Sequence, residues 1–419
     1  MAKRALIMVE WSRGNGPLYI QAAHHLGLYP IALTAHPTQH DYPKGIEAIR
    51  IDTHDLDPLI RECSRLRETY DIAGITGFAG DESVSATVGK LCRHFDLPGP
   101  NPASIEQCCD KFLQRGILAK AGVPMPAYRL AANAAEIERS AADIGLPVIV
   151  KPAVGSDSRG VRLCRNLDEI VEHSLFLLGG KHIWRSPPRI LVEEFAQGPH
   201  YIAHLMGNEV IAIAATEFGP PPHFVFRGYT LPAPLTDDAC KSITEVSLSC
   251  LRALDLGWGP TCIEFRWTKH GPVVIEVNPR MPGGGDPKLI QLACGVDLVT
   301  EHLKLVIGEE RVLRKRHSQT VVARSLLPDR DGILDWIDGG NRAAAVPGVA
   351  EVKLYVKPKI PIVRKGDNRD SMGYVVAASP SHAEAEAILK RAVDLISWSI
   401  TALPPLREQE QSEQDVYQH

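Results

Sequence analysis

Thr261-Cys262-Ile263-Glu264-Phe265-Arg266, a turn around Thr268-Lys269-His270-Gly271, then Val273-Val274-Ile275-Glu276-Val277-Asn278-Pro279-Arg280: this stretch decides how the rest of the chain is read. Residues alternate with period two on both sides of the turn, the pattern of a β-hairpin with one buried face. With the turn centred near residue 270, Glu264 falls opposite Glu276. The alternation also puts Glu276 and Asn278 on one face and Ile275 and Val277 in the core. Two carboxylates opposed across a hairpin destabilise it, and a bound cation removes that penalty. Three oxygen-bearing side chains converging on one spot suit magnesium, which takes one or two carboxylates and shares its remaining positions with phosphate oxygens. The plainer alternative is a solvated hairpin with its charges on the wet face.

Two further signals lie upstream. Leu146-Pro147-Val148-Ile149-Val150-Lys151-Pro152 is an apolar strand ending in lysine, and a buried ammonium is costly unless an anion answers it. The loop after it, Gly155-Ser156-Asp157-Ser158-Arg159-Gly160, is small enough to turn several backbone N–H groups toward one anion. The plainer reading is a surface lysine beside a flexible turn. Ile190-Leu191-Val192-Glu193-Glu194-Phe195-Ala196-Gln197-Gly198-Pro199-His200 carries acids into a Gly-Pro turn, which taken alone is an ordinary strand end.

Composition excludes several classes. The chain has 419 residues, 44% hydrophobic and 23% charged, with 46 Lys+Arg against 50 Asp+Glu. A net charge of −4 gives no general attraction to nucleic acid or anionic membrane. The basic start before Ala5-Leu6-Ile7-Met8-Val9 meets Glu10 well short of a signal peptide's apolar core. No window approaches the roughly 18 apolar residues of a spanning helix. Nine cysteines without a CxxC suggest reduced thiols and a cytoplasmic protein. Arg13-Gly14-Asn15-Gly16 lacks the third glycine of a dinucleotide turn. His24, His25, His36 and His40 read as solvated surface rather than a metal site.

Residues 4–9, a helix through Leu26 and Pro30–Thr34 have βαβ spacing, which implies a parallel sheet. Another strand is expected over 71–76 and a helix over 81–94. Leu97-Pro98-Gly99-Pro100-Asn101-Pro102 reads as a linker. Beyond 326 the pattern predicts strands at 351–356 and 372–378 and a helix over 382–397. The last 14 residues or so are polar and are expected to be disordered.

The lysine-ended strand, glycine loop, Glu-Glu-Phe-x-x-Gly-Pro turn and Glu…Glu-x-Asn-Pro-Arg hairpin, in that order over about 170 residues, resemble the ATP-grasp superfamily. Asp81-Glu82, Leu97-Pro98-Gly99, Asp110-Lys111, Ala121-Gly122-Val123-Pro124 and the C-terminal Asp367-Asn368-Arg369-Asp370-Ser371-Met372-Gly373 look like the L-amino-acid ligases of dipeptide biosynthesis. The resemblance implies a mixed α/β and α+β ATP-grasp fold in three domains. These are a Rossmann-like domain over 1–100, an ATP-grasp domain over 101–325 with a lid at about 112–188, and a small α/β domain over 326–405. A tail over 406–419 follows.

It also implies roles. Lys111 and Lys151 contact ATP phosphates, and Gly155, Ser156, Ser158, Arg159 and Gly160 form the lid loop. Glu193, Glu194, Phe195 and Ala196 hold adenine, and His200 stands where a ribose-binding acid is expected. Glu264, Glu276 and Asn278 hold magnesium, with manganese as a substitute. Arg280, Asn278 and Lys151 serve catalysis, and Glu82, Arg280, Gly283 and Gly284 face the substrates. The implied activity is ATP-dependent joining of a carboxylate to an amine, in a homodimer that uses small-molecule substrates and neither nucleic acid nor membrane. The rivals are a carboxylase or purine-pathway ligase with the same logic, and a silent nucleotide-binding protein. The intact acids, Asn278 and Arg280 count against the last.

Overall fold

A single helix joins the first strand to the second and another joins the third to the fourth, spacing that suits parallel pairing. The computed structural model describes residues 2–10, 14–35, 46–77, 82–156, 158–179 and 189–402. His36, His40, Arg13, Asp81, Asp157, part of the expected lid at 180–188 and the tail from 406 lie outside these residues. Two compact units emerge, Met1–Thr216 with Thr230–Gln319, and Glu217–Tyr229 with Thr320–His419.

In the larger unit β1 (Lys3–Val9), α1 (Gly16–His25), β2 (Tyr29–Thr34), β3 (Glu47–Arg50), α2 (Leu56–Arg67), β4 (Tyr70–Gly77) and α3 (Glu82–His94) come first. Their strands make a parallel sheet in the order β3-β2-β1-β4. Ile7, Ile31, Leu59, Ile75 and Leu91 are buried in its core, each contributing on the order of 2 kcal/mol. After α4 (Pro102–Cys108) and α5 (Lys111–Lys120) come β5 (Tyr128–Ala131), α6 (Ala134–Ile144), β6 (Val148–Pro152), β7 (Arg162–Cys164), α7 (Leu167–Gly179) and β8 (Ile190–Glu194). These strands pair antiparallel in the order β5-β8-β6-β7, with α6 and α7 packed on them.

Next are β9 (His200–Met206), β10 (Glu209–Phe218), β11 (Phe226–Leu231), α8 (Asp237–Ala253), β12 (Pro260–Thr268), β13 (Gly271–Asn278), α9 (Asp286–Cys294) and α10 (Leu298–Val306). Strands β13, β12, β9 and β10 are consecutive neighbours. Phe265, Ile263, Val274 and Val277 form the core beneath them with α8. The smaller unit follows with β14 (Thr320–Leu326), β15 (Gly332–Asp338), α11 (Gly340–Ala344), β16 (Val349–Leu354), β17 (Pro361–Ile362), β18 (Gly373–Ser379), α12 (His382–Asp394) and β19 (Ser397–Thr401). Here α12 covers β14 and β18, while β17-β15-β19 forms a separate sheet.

Two expectations are corrected. The last helix ends at Asp394 and Ser397 begins a strand. The apolar residues Leu395 and Ile396 continue the helical spacing, but they pack into the core of the smaller unit beyond the helix's end. The expected core residue Ile275 is only half-buried, because the register shifts between Glu264 and Phe265 and leaves it as a bulge. Val274 takes the core position with Val277.

No disulfide joins any of the nine cysteines, and among the described residues no helix is long and apolar enough to cross a membrane. Gly198 has φ +147°, and a Cβ there would lie 1.9 Å from the Trp267 carbonyl oxygen. The Gly-Pro turn is thereby pressed against β12, where the Trp267 N–H donates to Pro199 O at 2.9 Å. Gly198→Ala is expected to destabilise the protein by at least about 2 kcal/mol in urea unfolding. An unchanged unfolding midpoint would mean that this contact does not fix the turn.

Candidate active site

One face of α5 organises the site. Asp110 caps the helix, accepting from the N–H groups of Phe112 and Leu113 at 2.9 and 3.1 Å. Lys111, Gln114 and Arg115 then share a face by their three- and four-residue spacing. Lys111 Nζ lies 2.9 Å from Glu276 Oε1 and donates to Gly155 O at 2.6 Å. The Gln114 amide clamps the Val277 backbone, donating to its carbonyl at 2.8 Å and accepting from its N–H at 2.9 Å. Arg115 Nε donates to Glu193 Oε1 at 2.6 Å, and its Nη2 donates to the carbonyl of the bulged Ile275.

Lys151, on β6, completes a buried triad, with Nζ 2.5 Å from Glu193 Oε2. Lys151 is 5% exposed, Glu193 2% and Arg115 0%, so the lysine is not at the surface. Burial pushes the Glu193 carboxyl up, but Arg115 and Lys151 outweigh it and hold it down to about 2. Burial lowers the Lys151 ammonium, with Glu193 opposing. The anion that answers this buried lysine is therefore a carboxylate of the chain itself.

The hairpin has the expected register, with Glu264 opposite Glu276 and Cys262 opposite Asn278. Its two-residue turn is fixed by Thr268 Oγ1, which accepts from the His270 N–H at 3.1 Å and donates to Gly271 O at 3.0 Å. Each acid already has a partner that relieves their repulsion. Lys111 meets Glu276, and His200 Nε2 lies 3.3 Å from Glu264 Oε2. The other His200 nitrogen is 2.6 Å from Thr216 Oγ1. Burial raises the Glu264 carboxyl, while the hydrogen bond and charge of His200 bring it below its ordinary value.

From Glu276 the network continues. The Asn278 amide, oriented to satisfy its neighbours, donates to Glu276 Oε1 at 3.2 Å and Glu82 Oε1 at 3.3 Å. Arg280 Nε donates to Glu82 Oε1 at 2.7 Å. Lys111, Glu276, Asn278, Glu82 and Arg280 thus form one chain of alternating charge and amide. Beside it burial pushes the Asp286 carboxyl up to about 7, with Arg280 pulling the other way.

Other sequence-predicted residues stand apart. Glu194 is exposed at the end of β8 and accepts from the Ala127 N–H at 3.3 Å; Phe195 and Ala196 follow it outside the strand. In the glycine loop the N–H groups of Arg159 and Val161 donate to Ser156 O and Ser158 O. The Gly160 carbonyl is 2.9 Å from His173 Nε2. The Gly155 carbonyl of that loop accepts from Lys111. Gly283 and Gly284 have open space where a Cβ would stand, with Gly284 at φ +58°.

Sequence reasoning missed Arg115, Gln114 and Asn15. The first two sit three and four residues past Lys111, a spacing that a helix after Asp110 makes readable. Asn15 is fully buried and donates to the Pro282 carbonyl at 2.8 Å, fastening the segment after Arg280 to the start of α1. Among the described residues no cluster of three or more His, Cys, Asp or Glu is arranged to hold a metal. The oxygen set at hand is two carboxylates and an amide, which is the kind magnesium accepts.

Comparison with known proteins places this geometry. Residues 144–286 match the model of the ATP-grasp domain, and residues 324–401 that of the L-amino acid ligase C-terminal domain 2. The protein y4rH of Sinorhizobium fredii is 60% identical over 98% of this chain and 86% of its own length. Chloroplastic biotin carboxylase 1 of Populus trichocarpa is 26% identical over 82% of this chain, which spans 65% of that enzyme. The crystal structure of the L-amino acid ligase from Bacillus licheniformis superposes with a TM-score of 0.82 at 19% identity, covering 96% of this chain and all of that one. The chain belongs to the ATP-grasp superfamily of carboxylate–amine ligases and carries a C-terminal domain of the L-amino acid ligase family.

Proposed function

We propose that the chain joins an amino acid, or an amino-acid-like carboxylate, to an amine through an acyl phosphate, releasing ADP and phosphate. The observation that carries this reading is the run from Lys111 through Glu276, Asn278 and Glu82 to Arg280. It sets a phosphate-type cation, a metal-type carboxylate and amide, and a carboxylate-binding guanidinium side by side. Glu264, Glu276 and Asn278 would hold magnesium, which when bound supplies positive charge against the phosphates. Lys111 and Lys151 would turn to ATP phosphates, and the end of β8 at Glu193, Phe195 and Ala196 would flank adenine. His200 would reach ribose only by giving up Thr216 or Glu264.

A carboxylate approaching a triphosphate brings two anions together, so cations set in place beforehand lower the barrier. Arg280 grips the carboxylate with a planar two-pronged donor that lysine cannot imitate. Glu82, already on Arg280 Nε, is available to an ammonium group of the same substrate. This favours an amino acid over bicarbonate, which has no amine, and so favours ligation over carboxylation.

Two variants test the assignment. Glu276→Gln is expected to cut ATP-dependent phosphate release to below about 1% of the parent. It should also lower stability by about 1–2 kcal/mol, because Lys111 loses its charged partner. Near-normal release would remove Glu276 from the metal site. Arg280→Lys is expected to lower kcat about 10²-fold or more while ATP still raises the melting temperature. A defect confined to ATP affinity would move Arg280 to the nucleotide site.

A further inference from the structure

Behind Arg280 lies a small open hollow with a cavity volume of about 30 Å³. That is room for a few heavy atoms, enough for a short side chain and too little for a nucleotide. Its walls include Tyr19 of α1, Thr76 of β4, Ser85 of α3, Trp258 and His302 of α10. Arg280 is the one charged residue among the described residues that line it. Burial lowers the His302 imidazole to about 4, so it is neutral at ordinary pH.

His302 is held firmly. Its Nε2 lies 3.0 Å from Thr76 Oγ1, and the rings of Tyr19 and Trp258 meet it edge-on at 6.2 and 5.8 Å. Its other nitrogen, Nδ1, is buried with no hydrogen-bond partner. A neutral imidazole has one donor and one acceptor nitrogen, and leaving either buried and unmet is costly. With Arg280 taken by the substrate carboxylate, the remaining described walls carry no charge, so a charged side chain would be buried without a partner. An orphaned nitrogen in such a wall favours a guest that brings a polar atom.

We propose that this hollow receives the side chain of the carboxylate substrate gripped by Arg280, and selects an uncharged side chain carrying one hydrogen-bonding group for His302. This rests on the ligase reading above. The test uses the full chain with ATP and a fixed amine, comparing L-threonine with L-valine and L-asparagine with L-leucine. The parent should favour the polar member of each pair by about tenfold or more in kcat/KM. His302→Phe, which keeps a ring and removes the nitrogens, should bring both ratios to within about threefold of unity. Unchanged ratios in the folded variant would overturn the proposal.

Should His302→Phe not fold, Ser85→Leu decides, since its side chain narrows the hollow from the α3 side. Asparagine and leucine should then lose about tenfold more kcat/KM than glycine does, and equal losses would overturn the proposal. The two readings fail differently. If no acid drives phosphate release, yet threonine raises the melting temperature more than valine does and only with His302 present, the hollow's ligand class stands and the ligase reading falls. Phosphate release indifferent to the side chain keeps the ligase reading and removes the hollow from selection.

Discussion

A carboxylate as deeply buried as Glu193 survives in its charged form only if cations surround it, and the site is built on that requirement. Arg115 and Lys151 supply the cations from α5 and β6, so one interaction ties a helix to the small antiparallel sheet. The same Arg115 reaches the bulged carbonyl of Ile275 and thereby joins both to the hairpin. Deleting one member would leave an unanswered buried charge, which costs far more than the intact pairs contribute. The Glu193 carboxyl is held below its ordinary value, so its stabilising effect is full above the usual carboxylate range and fades as pH falls toward about 2.

The arrangement also explains how the chain can carry so much converging charge. The repulsion between Glu264 and Glu276 is met by His200 and Lys111. In the proposed reaction these protein partners are exchanged for a metal ion and phosphates. Nearly the same number of charge contacts is kept, and little reorganisation is left for the chemical step. Arg280 and Glu82, paired with each other, would separate onto the carboxylate and ammonium ends of one substrate by the same exchange.

What the sequence made legible was local and periodic. Alternation on both sides of Thr268–Gly271 sets the hairpin register, because a slip of one residue would turn every core side chain to the other face. The opposition of Glu264 and Glu276 followed from it. The bulge at Ile275 did not, since nothing in Val273-Val274-Ile275 distinguishes a regular strand from an interrupted one. Arg115 meets Glu193 across 78 residues and Asn15 meets Pro282 across 267, and no local pattern encodes such pairings. His200 stands out in the sequence only as the histidine after Gly-Pro where the resemblance expects an acid, whereas its engagement with Glu264 and Thr216 depends on how β9, β10 and β12 neighbour one another. The sequence reads as helix as far as Ser397 because Leu395 and Ile396 continue the spacing of α12, which ends at Asp394.

The central claim is that the substrate carboxylate attacks ATP and becomes an acyl phosphate before the amine arrives. The most direct measurement supplies an amino acid labelled with oxygen-18 in its carboxyl group, together with ATP and an amine, and weighs the released phosphate. One labelled oxygen in each phosphate, alongside ADP and an amide product, is the predicted result. Unlabelled phosphate, or AMP and pyrophosphate in place of ADP and phosphate, would contradict the account.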